Sequence, residues 1–147
     1  MAFKDTNIYK AAIDMSKGFR RSIRQMPKAE KFCIGERMLL LLNDIKYQIY
    51  LSNIARSEER LKNIRELLNM LAHLKICIED CVEDGTLSLK GKFSIQLPLK
   101  SLNDAIKQAK SWEKYTKDTC ESVNKIDKND NIKIAEKVFE ENVNFLK

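Results

Sequence analysis

The stretch from Met26 to Arg56, MPKAEKFCIGERMLLLLNDIKYQIYLSNIAR, constrains this chain more than any other. After the turn signal Met26-Pro27-Lys28, the residues Phe32, Met38, Leu41, Leu42, Ile45 and Ile49 recur in a helical rhythm. Leu39, Leu40, Tyr47 and Tyr50 add apolar surface to the other faces. A helix that is apolar nearly all round needs partners on more than one side. The run therefore reads as the central helix of a bundle that also self-associates. Gly35 inside it costs about 1 kcal/mol relative to alanine. It marks either a close approach of a second helix or a late start of this one.

The remaining segments supply the partners. Asp5 or Thr6 can cap a first helix reaching to Gln25, with Ile8, Ala12, Met15, Phe19 and Ile23 as its apolar stripe. Pro27 ends it, because the residue before a proline is pushed out of the α region. Helix two begins between Lys28 and Phe32. Ser57 can cap a third helix, with Glu58 and Glu59 at the positive end of its dipole. Leu61, Ile64, Leu68, Leu71, Leu74, Ile78 and Val82 form its stripe, and Gly85 is its stop. From Thr86 to Leu97, apolar residues alternate in a strand period, but a lone strand would have nothing to pair with. A loop that packs Leu87 and Leu89 is preferred, followed by a fourth helix. Pro98 fits a first helical turn and favours a start near Leu97. Leu99, Leu102, Ile106, Ala109 and Trp112 make the inner face of that helix. Thr119–Asn131 is polar and reads as a linker, and Ile132–Leu146 reads as a short amphipathic helix. The domain reading is thus a four-helix bundle over residues 1–118 and a tail over 119–147. With 4 glycines and 2 prolines in 147 residues, the composition agrees with an all-α chain.

Charge is the next signal. The chain carries 27 basic and 21 acidic residues, a formal net charge of +6. Such an excess points to an anionic partner only where it is clustered. Two clusters exist. Lys10, Lys17, Arg21, Arg24 and Lys28 follow one another at steps of seven, four, three and four, which lines them along one side of the first helix. Lys100, Lys107, Lys110, Lys114 and Lys117 do the same on the fourth, at steps of seven, three, four and three. Such rows can neutralise phosphates without reading bases. The plainer reading is an ordinary wet helix face. Few aromatic residues interleave with the rows, so base stacking is not strongly indicated; Trp112 and Tyr115, near Lys110 and Lys114, are the exception.

Other chemistry fares worse. His73, Cys77 and Cys81 stand at i, i+4 and i+8 on one helix side, with Cys33 as a conceivable fourth zinc ligand. There is no CxxC pair, and cysteine is among the most buried residue types, so filling space is the simpler role. His73 lies between leucines and reads as a core or interface residue. No phosphate-cradling glycine loop, HExxH or nucleophile elbow is present, so neither enzyme activity nor a cofactor is expected. The acidic group Glu79, Asp80, Glu83 and Asp84 lacks the Glu-x-x-His pattern of di-iron bundles and reads as solvated. The N-terminus has no signal-peptide pattern and no run of about 18 apolar residues occurs, which points to a cytoplasmic protein with free thiols and no membrane span.

The segment Met26-Pro27-Lys28-Ala29-Glu30-Lys31-Phe32-Cys33-Ile34-Gly35-Glu36-Arg37-Met38 resembles the helix-one/helix-two junction of a bacterial family. That family comprises the 23S rRNA intervening-sequence four-helix proteins and the Avd-type accessory proteins of diversity-generating retroelements. Gly85-Thr86-Leu87 and Leu89 resemble its loop before helix four, and Trp112-Glu113-Lys114 the tryptophan near that helix's end. The resemblance covers residues 8–117. It implies an up-and-down four-helix bundle assembled as a ring, a homopentamer. In Avd-type members the ring is a basic, non-catalytic partner of a reverse transcriptase and its template RNA in mutagenic retrohoming. Carried onto this chain, Pro27, Phe32 and Gly35 would be structural, and Lys28, Lys31 and Arg37 would meet nucleic acid or a neighbouring subunit. The tail from Thr119 and the position of Pro98 depart from the family pattern.

The sequence reading is therefore an oligomeric all-α bundle that binds RNA or DNA without strong sequence preference and assists a reverse transcriptase. Its contact residues would be Lys10, Lys17, Arg21, Arg24, Lys28, Lys31, Arg37, Lys100, Lys107, Lys110 and Lys114. The alternative is an intervening-sequence-type bundle that binds only protein and whose lysines meet only solvent.

Overall fold

A computed structural model describes residues 6–146 of the chain, with side chains described for residues 6–123. Thr6 opens α1 (Asn7–Ile23), its hydroxyl accepting from the Tyr9 amide at 3.4 Å. Ile8, Ala12, Met15, Phe19 and Ile23 are all buried, as the stripe requires. Side chains buried so completely contribute about 1.5–3 kcal/mol each.

After Pro27 one helical run continues through α2 (Lys28–Glu30), a π-helical segment (Lys31–Gly35) and α3 (Glu36–Ile54). Gly35 faces α1: a Cβ there would stand 3.1 Å from Ile23 Cγ2 and 3.4 Å from Met26 Sδ. That settles its role as a point of close approach. Met38, Leu42, Ile45 and Ile49 are buried, but Phe32 is not. Phe32 stands six residues before Met38, which is no helical step, and the wider π turn lies between them. It is 59% exposed, so the packing role expected for it fails.

The Arg60 guanidinium closes α3 by donating to the carbonyls of Ser52, Asn53 and Ala55 at 3.2, 2.9 and 2.8 Å. Next comes α4 (Ser57–Glu83). Ser57 does not cap it: its backbone lies in the left-handed region at φ 54, and no side chain caps the first turn from Arg56. At the other end Gly85 adopts φ 85, and the Leu87 amide donates to the Cys81 carbonyl at 3.0 Å. Asp84 accepts from both the amide and the hydroxyl of Thr86, which holds its carboxyl below the usual range. The rest of the acidic group is exposed.

No strand forms between Thr86 and Leu97. Leu87 is buried and Leu89 is exposed, so the loop packs one of the two leucines expected. The loop is tied down by Ile95 N–H to Ser88 O at 2.9 Å and by the Ser22 hydroxyl donating to Phe93 O at 3.0 Å. The last helix, α5 (Gln96–Leu146), starts one residue before Leu97 and holds Pro98 in its first turn. It then runs on through the segment expected to be a linker. No glycine or proline follows Pro98, so polarity alone marked Thr119–Asn131 and nothing there stops a helix. The docking of side chains in 132–146 lies outside the described residues.

The four long helices form an all-α bundle. α1 lies beside α3 and α5, and α4 lies beside α3 and α5. Gly18 and Pro98 mark a close approach of α1 and α5. Burial on α5 continues through Leu102, Ala105, Ala109, Thr116 and Cys120. Among the described residues no helix is long and apolar enough to cross a membrane.

Candidate nucleic-acid interface

α1 buries its stripe against α3 and α5, which forces Lys10, Lys17, Arg21 and Arg24 to the opposite face. All four are exposed. Among the described residues the one ion pair within 4.0 Å is Arg65–Glu113, at 3.5 Å, so none of these cations is neutralised by a carboxylate contact. Asp14 is the acidic residue within the row, between Lys10 and Lys17, and it is exposed as well.

Positive charge extends beyond the row on both sides. Toward α3, Arg20 donates to the Ser16 hydroxyl at 3.1 Å and to the Asn43 side-chain oxygen. Its charge, second to burial, lowers the pKa of Lys46 from the usual lysine value. These two cations share the α1/α3 groove. Toward the loop before α5, the Phe93 ring lies under Arg21 at 5.5 Å and under Lys92 at 5.7 Å. A ring face attracts cations, so Phe93 gathers two of them at one end of α1. Arg20, Lys46 and Lys92 were not singled out by spacing.

The second row does not join the first. α5 faces α1 through Pro98, Gln108 and Trp112; the last two wall a pocket of about 260 Å³ with Asn7 and Ile8 of α1. Lys110 instead lines a groove of about 580 Å³ between α4 and α5, with Leu68, Ile76, Glu79, Ile106 and Glu113. Lys117 lines a second groove along α4, beside Glu58, Glu66 and Glu121. Lys100, Lys107, Lys110 and Lys114 are exposed, but the side of α5 that holds Lys110 and Lys117 mixes with carboxylates. The residues assigned by resemblance also separate. Lys28 is exposed and follows Arg24 around the turn, whereas Lys31 is half-buried. Arg37 is exposed and lies close enough to Cys77 on α4 to counter part of the rise that burial imposes on that thiol.

The remaining sequence candidates resolve simply. Cys77 and Cys81 are buried, and burial raises both thiols, while His73 is exposed rather than packed between leucines. Among the described residues no three metal-ligating side chains come together. A second surface lies on α3, where Leu40, Tyr47 and Ile54 recur every seven residues at 64%, 61% and 55% exposure. The Tyr47 and Tyr50 rings stack with centroids 6.2 Å apart. Comparison with known proteins adds no identification: no family model, curated protein or solved structure matches the chain.

Proposed function

We propose that this chain is a non-catalytic bundle that self-associates and holds a polyanion, as the accessory protein of a reverse transcriptase in a diversity-generating retroelement. The observation that carries the polyanion part is the α1 face. Lys10, Lys17, Arg21 and Arg24 are exposed and unpaired, with Arg20, Lys46 and Lys92 beside them. Six or so cations on one face suit a phosphate backbone, whose contacts carry no base identity, so sequence preference should be weak. The α3 ridge supports self-association, because a repeating apolar stripe of this length on a lone chain leaves much surface to cover. The reverse transcriptase and the homopentameric ring rest on the resemblance of residues 26–38 and 85–89.

Charge reversal tests the assignment. Lys17→Glu with Arg21→Glu is expected to weaken RNA binding by about a hundredfold at low salt, given up to four net phosphate interactions lost or reversed. Lys107→Glu with Lys114→Glu on α5, the same change in charge, is expected to cost less than tenfold. Equal losses from the two helices, or no loss from α1, would reject the α1 face. The rival reading, a protein-only interaction module, draws on the same α3 ridge and predicts no RNA binding by any of these variants or by the parent.

A further inference from the structure

Trp112 is the single tryptophan of the chain, and neither basic row accounts for it. It is half-buried, packs against the core, and lines the pocket of about 260 Å³ together with Asn7 and Ile8 of α1, Ile49 and Asn53 of α3, and Gln108 of α5. Asn53 and Gln108 are half-buried, and among the described residues no hydrogen bond engages either side-chain carboxamide. Each carboxamide carries two donor hydrogens and an acceptor oxygen, which are left to water or a ligand. Arg60 also borders the pocket, but its guanidinium is held by the carbonyls of Ser52, Asn53 and Ala55. No carboxylate lines this pocket, whereas Glu79 and Glu113 line the groove between α4 and α5. The pocket stands where the first basic row begins. Lys10 is exposed and follows Asn7 by three residues, a spacing that makes them neighbours on the helix surface.

We infer that this pocket takes one unstacked base of a single-stranded nucleic acid whose backbone runs along the α1 row. An indole and two carboxamides match a planar ring with a hydrogen-bonding edge. Because a carboxamide both donates and accepts, it can meet the edge of any base, which keeps sequence preference weak. The volume lies a little below the roughly 300–1,000 Å³ of drug-sized sites, and so suits one ring system. A duplex keeps its bases stacked on one another and cannot use the pocket. The path of the strand rests on the α1 reading, while the base pocket has a readout of its own.

The test binds three ligands to the full chain at one salt concentration: an oligouridylate, an abasic strand of equal length and charge, and a duplex. Fluorescence excited selectively in tryptophan reports Trp112 alone. The oligouridylate is expected to quench it saturably. The abasic strand should leave the emission unchanged and bind about fivefold or more weakly. Trp112→Leu keeps apolar volume against the core and is expected to weaken the oligouridylate about fivefold or more with no change for the duplex. Gln108→Leu, which leaves the indole in place, should shift affinity in the same direction for the oligouridylate only. Equal affinity for the base-bearing and abasic strands, or unchanged emission at saturation, overturns the pocket. So does a loss in Trp112→Leu that is as large for the duplex. Lys17→Glu with Arg21→Glu separates the two readings: if it weakens both strand and duplex while the parent shows no quenching, the α1 face stands and the pocket falls. If it weakens neither while quenching persists, the pocket stands and the α1 face falls.

Discussion

Gly18→Ala is the sharpest probe of how α1 and α5 are held together. A Cβ at position 18 would stand 2.6 Å from Pro98 Cβ, 2.7 Å from its Cγ and 3.0 Å from its Cδ. Carbon atoms in good contact sit about 3.5–4.0 Å apart, so the overlap is close to 1 Å. The atoms in the way belong to a ring fused to the α5 backbone and cannot swing aside. The helices must separate, and overpacking of this sort costs about 1–3 kcal/mol. Alanine regains about 1 kcal/mol of helix propensity. The net expectation is a loss of about 0–2 kcal/mol, read as a lower urea midpoint by far-UV circular dichroism with an unchanged slope. Pro98→Gly removes all three clashing atoms. The double variant should therefore be more stable than the sum of the singles, with a coupling of about 1–2 kcal/mol. A gain of about 1 kcal/mol from Gly18→Ala alone, the value for an open helix site, would refute the close contact.

Three shorter expectations follow. Burial and then the charge of Arg20 lower the Lys46 pKa, so between that value and the usual 10.5 the folded chain binds fewer protons than the unfolded one. Stability should rise with pH through that window, and Lys46→Met should flatten the rise and add a few tenths of a kcal/mol at neutral pH. In thiol titration of the native chain Cys33, which is exposed, should react at once, whereas Cys77 and Cys81 should wait for unfolding because burial both shields and raises them. Tyr47→Asp on the α3 ridge should shift sedimentation toward monomer with helicity unchanged; a parent that is already monomeric would remove the case for self-association.

Much of the fold is legible because each helix buries a stripe that the sequence writes at helical steps, as Ile8, Ala12, Met15, Phe19 and Ile23 do. Gly85 and Pro98 punctuate it where their backbone chemistry demands. What escaped was relational. The π-helical segment arises where Gly35 meets Ile23 and Met26, a contact between helices that no local pattern encodes. Phe32 falls off the stripe for a local reason, because it stands six residues before Met38. Thr119–Asn131 looked like a linker on polarity, yet without glycine or proline the helix continues. The basic rows could be read helix by helix, but which grooves they border depends on how the bundle closes. Only then do Arg20, Lys46 and Lys92 join the first row and Lys110 turn toward Glu79 and Glu113.

The salt dependence of RNA binding measures the proposed role most directly. Six phosphate contacts on the α1 face should lower affinity about three hundredfold for a single strand, and about two thousandfold for a duplex, between roughly 50 and 200 mM salt. Lys17→Glu with Arg21→Glu should make that slope shallower by at least two contacts. A flat salt response in the parent, or a slope that the α1 substitutions leave unchanged, would contradict the account.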